Sequence, residues 1–112
     1  MKLADFATQF EELGLNLSAY GGAAYYGACD EWSLALQPYQ SERIHHAKLA
    51  ISVSSARKSS EVVDRFLSAA EVKKTPQIKQ ALEDGREFRT VVGDKQVSFS
   101  AVGSDLVVNV IE

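Results

Sequence analysis

The chain has 112 residues, of which 46% are hydrophobic and 24% charged, and its formal net charge is −3. This apolar content suffices for the core of one domain and argues against a disordered chain. No apolar stretch approaches the roughly 20 residues that span a bilayer, and a single cysteine excludes an internal disulfide or a four-cysteine zinc site. We therefore expect one globular domain over residues 1–112, located in the cytoplasm.

A helix is predicted at the start of the chain, over residues 3–13. Its apolar residues recur every three or four positions, which places them on one face of a helix. Gly14 follows, and glycine suits the left-handed residue that comes after a helix.

Short strands are predicted next. Residues 15–18 alternate apolar and polar side chains. Residues 23–30 are interpreted as a strand because tyrosine favours pleated surfaces, with a short helix as the alternative. Residues 31–37 alternate with Trp32 on the apolar side, and Pro38 is expected to end this strand because it lacks the N–H that a ladder requires.

The middle of the chain predicts one more strand and two helices. Residues 44–54 alternate apolar and polar positions, which favours a strand over the alternative helix. Residues 59–72 carry an apolar stripe at helical spacing, and Ser59 or Ser60 is expected to cap this helix. Residues 75–84 form the second helix.

That second helix has the clearest local signature in the sequence. Thr75 suits the N-cap, and Pro76 suits the first helical position, where its missing N–H costs nothing. After it, three apolar segments separated by turns at Gly93 and Gly103 predict a three-strand antiparallel meander.

The predicted fold is α+β, with a mostly antiparallel sheet of five to six strands. The N-terminal helix and the central helix pair are expected to pack on one face of the sheet. The predicted core consists of Leu3, Phe6, Phe10, Trp32, Leu34, Leu36, Leu49, Ile51, Val53, Val63, Phe66, Leu67, Ile78, Leu82, Phe88, Val97, Phe99, Val108 and Val110.

Every tyrosine and the only tryptophan lie within one stretch of twenty residues. Tyrosine and tryptophan recur at protein interfaces because they bring a large contact area at low entropic cost. We expect Trp32 to be buried and one of Tyr25 and Tyr26 to be exposed, because strand neighbours face opposite ways. The candidate partner-binding residues are Tyr20, Tyr25, Tyr26, Asp30, Glu31 and Tyr39.

The small net charge hides a segregation along the chain. Residues 1–42 carry −5, residues 43–80 carry +5 and residues 81–112 carry −3. The basic segment 43–80 suggests an alternative function, binding of nucleic acid or of a phosphate-bearing ligand. The residues predicted for that alternative are Arg57, Lys58, Lys73, Lys74 and Lys79. The opposing interpretation is a solvated charged face balanced by the acidic segments.

No catalytic motif is found in the sequence: it lacks a phosphate-binding loop, a nucleophile elbow and the HExxH zinc signature. A second alternative is a small-ligand enzyme that uses Cys29 with His45 or His46 as a thiolate–imidazolium pair. The adjacent histidines are expected to face opposite sides of a strand and therefore not to grip one metal together. No metal site and no cofactor are predicted.

The absence of a catalytic pattern, together with the aromatic segment, favours a non-enzymatic intracellular binding module of the inhibitor, immunity, adaptor or regulatory type. An acidic binder steers toward a basic target such as a nucleic-acid-handling protein. An exposed sheet edge also makes a homodimer possible.

Overall fold

The computed structural model describes residues 1–14, 17–20, 24–28, 31–40, 43–52, 56–84 and 86–112. Within them lie the helices α1 (Leu3–Glu11), α2 (Ala56–Ala69) and α3 (Pro76–Asp84). The strands are β1 (Ser18–Tyr20), β2 (Ala24–Ala28), β3 (Trp32–Gln40), β4 (Arg43–Ser52), β5 (Phe88–Val92), β6 (Lys95–Val102) and β7 (Asp105–Ile111).

The strands form one antiparallel sheet in the order β1-β2-β3-β4-β7-β6-β5. The first four strands follow each other as a meander. Helices α2 and α3 then carry the chain to the far edge, and β5, β6 and β7 return until β7 pairs with β4. This confirms the predicted α+β class and the C-terminal meander. The described sheet has seven strands, above the predicted five to six, because the three-residue β1 adds an edge.

Both segments with an alternative helical interpretation are strands. The backbone of β2 covers most of residues 23–30, and β4 covers residues 44–52. The preference of tyrosine for strands predicted the first correctly, and alternation predicted the second. Val53 and Ser54, the last residues of that predicted strand, lie outside the described residues.

Pro38 does not end its strand, and this prediction was wrong. Strand β3 continues through it to Gln40, and the pairing with β4 changes register on both sides of the proline. A β-bulge interrupts the ladder locally, so the missing N–H of a proline is tolerated there.

The three helices lie where helices are predicted, but their ends differ. α1 ends at Glu11 instead of residue 13, and α2 spans Ala56–Ala69 instead of residues 59–72. α2 begins at Ala56, so Ser59 and Ser60 lie inside the helix instead of capping it. At α3 the predicted cap is present, because the Thr75 hydroxyl accepts a hydrogen bond of 3.3 Å from the Ile78 N–H. Gly14 follows α1 with φ of 83°, a conformation that glycine adopts without steric cost.

One face of the sheet packs against the helices and forms the core. Alternate residues of β3, β4, β6 and β7 are buried together with residues from all three helices. The contacts include Phe6 against Phe66, with ring centroids 5.9 Å apart, and Phe10 against Trp32, at 5.2 Å. Most of the predicted core is confirmed. Leu3, Leu82 and Phe88 pack against it while half-buried, and Val53 lies outside the described residues.

Candidate binding surface

The side of the sheet opposite the core is here called the open face. In the described part of the chain, all three helices contribute their buried residues to the core on the other side. Strand register places the following residues on the open face: Ser18, Tyr26, Ala28, Ser33, Ala35, Gln37, His46, Lys48, Ala50, Ser52, Arg89, Val91, Gln96, Ser98, Ser100, Val102, Asp105, Val107, Asn109 and Ile111.

The open face carries the three large hydrophobic side chains that are exposed among the described residues. Tyr26 is 46% exposed, Val91 66% and Val102 61%. Of the open-face residues on β3, β4, β6 and β7, only Lys48 and Asp105 bear a full charge, and many of the others are alanine or serine. A broad, charge-poor surface of small side chains allows another surface to approach the backbone closely.

A shallow depression of about 200 Å³ lies at one end of this face. It is lined by Tyr26, Ala28, Glu31, Trp32, Ser33, Ala50, Ser52 and Asp105. The small residues and hydroxyls form its lining, while Glu31 and Asp105 contribute carboxylates and Tyr26 an aromatic ring. The depression therefore suits a polar group with a positive or hydrogen-bond-donating end.

The structure separates the residues predicted to bind a partner. Tyr26 and Glu31 meet at the depression, whereas Tyr25 lies on the opposite side of the sheet and packs against the core. The prediction that Trp32 is buried and that one of the two adjacent tyrosines is exposed is confirmed. Tyr25 was predicted to bind a partner, and this is corrected: alternation along β2 directs its side chain toward the core.

For two other predicted residues, only the backbone is described. The backbone of Tyr20 belongs to β1 and that of Tyr39 to β3. Asp30 lies outside the described residues. Conversely, sequence reasoning missed Asp105 and Ala50, which line the depression. The alternation of residues 44–54 indicated the side of the strand on which Ala50 lies, whereas Asp105 was assigned to a turn and is the first residue of β7. The strands that complete the depression were not predicted.

The two adjacent histidines lie at the β-bulge. β4 passes from His46 to Ile44 while β3 advances only from Gln37 to Pro38, so His45 is an inserted residue. Ile44 and Ala47, on either side of the histidines, are both buried. The expectation that the two histidines face opposite sides of the strand assumed regular alternation of side chains. The bulge interrupts that alternation at His45.

His46 is engaged by a neighbour on the open face. Its Nε2 lies 2.8 Å from Oδ1 of Asn109, and because that oxygen can only accept, the imidazole donates. No group of three metal-ligating side chains occurs among the described residues. Cys29 lies outside them, so the proposed pairing of Cys29 with a histidine stays a prediction.

The basic segment is partly neutralised by the chain's own acids. Nζ of Lys74 lies 2.7 Å from an oxygen of Asp64. Arg65 in α2 forms ion pairs with Glu12 and Glu61 and donates a 3.0 Å hydrogen bond to Gln9. The contacts with Gln9 and Glu12 connect α2 to the C-terminal end of α1, so Arg65 stabilises the packing of these two helices.

The other predicted nucleic-acid contacts are distributed over α2, α3 and the segment between them. Lys73 and Lys79 are exposed, while Arg57 and Lys58 are placed by their backbone in the first turn of α2. Together with the ion pair of Lys74, this arrangement leaves less free positive charge than the sequence suggests. Nucleic-acid binding by residues 43–80 stays a prediction.

A second depression, of about 320 Å³, is lined by Arg43, Ile44, His45 and Glu112. The Glu112 carboxylate receives a hydrogen bond from the N-terminal ammonium of Met1 and another, of 2.9 Å, from Arg43. The hydrogen bond from the ammonium is the main reason that the pKa of Glu112 lies below its ordinary value of 4.5. Arg43 lowers this pKa further, and burial opposes the shift.

Replacing Glu112 by glutamine is expected to destabilise the fold at neutral pH and to have less effect in acid. A carboxyl whose pKa is lowered by folding stabilises the protein above its unfolded pKa, and this contribution is lost as the pH falls through the folded pKa. Urea denaturation of wild type and Glu112→Gln between pH 3 and 7 should therefore converge below about pH 4.5. A difference that stays constant across this range would contradict the assignment.

No family model, curated protein or solved structure matches this chain. Among the described residues, no helix has both the length and the apolar character needed to cross a membrane.

Proposed function

We propose that this protein is a non-enzymatic intracellular binding module whose open face docks on another protein. The observation that carries the proposal is that Tyr26, Val91 and Val102, the exposed large hydrophobics of the described residues, share this one face. These three side chains lie on β2, β5 and β6 and are spread across the face, so the contact they indicate is broad and is not a single apolar patch.

The size of the open face supports a protein as the partner. Strands lie about 4.8 Å apart and rise about 3.3 Å per residue, so seven strands of this length present roughly 700 Å². A standard protein–protein interface buries about 800 Å² on each partner. A small ligand would use only the depression and would leave most of this face uncovered.

The charges at the depression support a partner with a basic group. Glu31 and Asp105 line it together with Tyr26, whose ring can accept a cation over its face. A lysine or arginine from the partner would gain from both carboxylates and from the ring. This pattern fits an inhibitor, immunity, adaptor or regulatory protein that acts on a basic target, including one that handles nucleic acid.

The test uses the intact chain, immobilised, to capture proteins from its native host. Ala50→Arg places a large cation in the depression itself, where Ala50 is part of the lining. It is expected to abolish capture, because the arginine side chain would fill the depression and pair with the carboxylates proposed to bind the partner's basic group. The matched control is Gln77→Arg, which makes the same change at an exposed position of α3.

The readout is one stoichiometric protein that binds wild type and Gln77→Arg and is lost with Ala50→Arg. Circular dichroism and thermal unfolding must show that both variants are folded. A partner that Ala50→Arg retains, or that both variants lose equally, would overturn the proposal.

A further inference from the structure

The two edge strands of the sheet, β1 and β5, differ in length, and the longer one is better able to pair with a strand of another molecule. β1 has only three residues, whereas β5 is a full strand of five residues that pairs with β6 alone among the described strands. β5 contains no proline and a single charge, Arg89. Natural proteins usually blunt an edge with short strands, proline or charge, because an unblocked edge is a template for another strand.

The residues of β5 are compatible with antiparallel pairing to a second copy of the same strand. A two-fold axis at Thr90 sets that threonine opposite its equivalent, which is a favourable cross-strand pair. The same axis sets Arg89 opposite Val91 of the second copy and Phe88 opposite Val92 of the second copy. Centring the pair on Arg89 instead would oppose two like charges.

This pairing would extend the core across the new junction. Phe88 and Val92 face the helix-covered side, where they are half-buried at the margin of the core. Each would gain an apolar neighbour from the second copy. Val91, 66% exposed on the open face, would be covered in part by the aliphatic stem of Arg89 from the second copy.

The residues that flank β5 carry complementary charges in this same register. The axis at Thr90 sets Arg86 opposite Asp94 of the second copy, and the symmetry repeats the pair. Both side chains are exposed. Each already has one ion pair within its own chain, at 3.5 Å from Arg86 to Asp84 and at 3.6 Å from the buried Lys95 to Asp94. Charge complementarity therefore favours a second copy of this chain over an unrelated strand, and this register over the one centred on Arg89.

We propose that two copies of this chain associate through antiparallel pairing of β5 centred on Thr90, which joins their sheets into one. The pairing leaves most of each open face exposed, so the dimer would present two copies of that face. A contact this short buries less area than a standard interface, so the dissociation constant is expected to be about micromolar or weaker.

Sedimentation velocity over a wide range of protein concentration measures this association. Arg86→Asp sets like charges opposite each other twice and is expected to raise the dissociation constant about tenfold. Asp94→Arg should do the same. The double variant Arg86→Asp with Asp94→Arg reverses both charges and should restore the wild-type value.

Disulfide trapping tests the register directly, in a Cys29→Ser background. Thr90→Cys is expected to form a covalent dimer on mild oxidation, because residues directly opposite across two strands have Cβ atoms about 5 Å apart. Val102→Cys, exposed on the open face, is the control and should remain monomeric on a denaturing gel. A monomer at all concentrations, a charge swap that fails to restore association, or trapping at Val102 alone would overturn the proposal.

This test is separate from that of the proposed function. The capture experiment measures a different protein bound to the open face, and the edge variants leave that face unchanged except at its margin. Loss of dimerisation with retained capture, or the reverse, would identify which of the two proposals fails.

Discussion

Phe66→Ala is expected to lower the free energy of unfolding by about 3–5 kcal/mol. The Phe66 side chain is fully buried, and its ring packs against Phe6 with an interplanar angle of 57°. Its loss would remove buried apolar area and leave a cavity between α1, α2 and the sheet that the neighbours can fill only in part. The free energy of unfolding of a small domain is about 5–15 kcal/mol, so this one substitution would remove a large fraction of it.

Urea denaturation followed by tryptophan fluorescence measures this loss, since Trp32 lies in the same core. Phe66→Leu keeps more of the volume and should be clearly less harmful. Ser68→Ala, at an exposed position of the same helix, should change stability by less than about 0.5 kcal/mol. A loss below about 1 kcal/mol for Phe66→Ala would mean that α2 packs elsewhere.

The order of elements was predictable because each element carries a local signal. Alternation identified β4, an apolar run after the turn at Gly103 identified β7, and the threonine–proline start identified α3. Each signal depends on only a few neighbouring residues. It predicts the folded structure correctly because the apolar face that it marks is the face that becomes buried. Alternation also resolved the helix–strand ambiguity at residues 44–54 correctly, whereas that at residues 23–30 was resolved by the preference of tyrosine for strands.

The errors occur where a contact distant in sequence overrides the local signal. Pro38 would end an isolated strand, but a bulge against β4 lets β3 continue past it. The same bulge inserts His45 into β4, which local alternation cannot indicate. Only the pairing of the two strands determines these features, and strand pairing is not readable from one segment alone.

The candidate surface was predictable to a smaller extent. The tyrosine pair indicated that one ring would be exposed, and the alternation of a strand explains why that ring and its neighbour separate. The depression itself combines residues of β2, β3, β4 and β7, so it depends on the order of the sheet. That order follows from the crossover through α2 and α3, which sets β7 beside β4.

Tyr26→Ala is expected to weaken partner binding by roughly 2 kcal/mol, or about thirtyfold, with little effect on stability. Tyr26 stands between small residues, since Ser18 and Ala35 are its cross-strand neighbours. Its ring therefore rises above the surrounding surface and would anchor a partner. Because the side chain is 46% exposed, its removal leaves no closed cavity in the core.

The affinity of each variant for the captured partner is measured by titration calorimetry. Tyr26→Phe retains the ring and loses the hydroxyl, so it separates the contribution of contact area from that of a hydrogen bond. Gln77→Ala on α3 is the control and should bind as wild type does. If folded Tyr26→Ala binds with wild-type affinity, the anchor lies elsewhere on the open face, and Val102→Ala becomes the comparison that decides whether this face is used. If neither variant weakens binding, the partner does not use the exposed apolar residues of this face, because interface energy is concentrated in a few buried anchors.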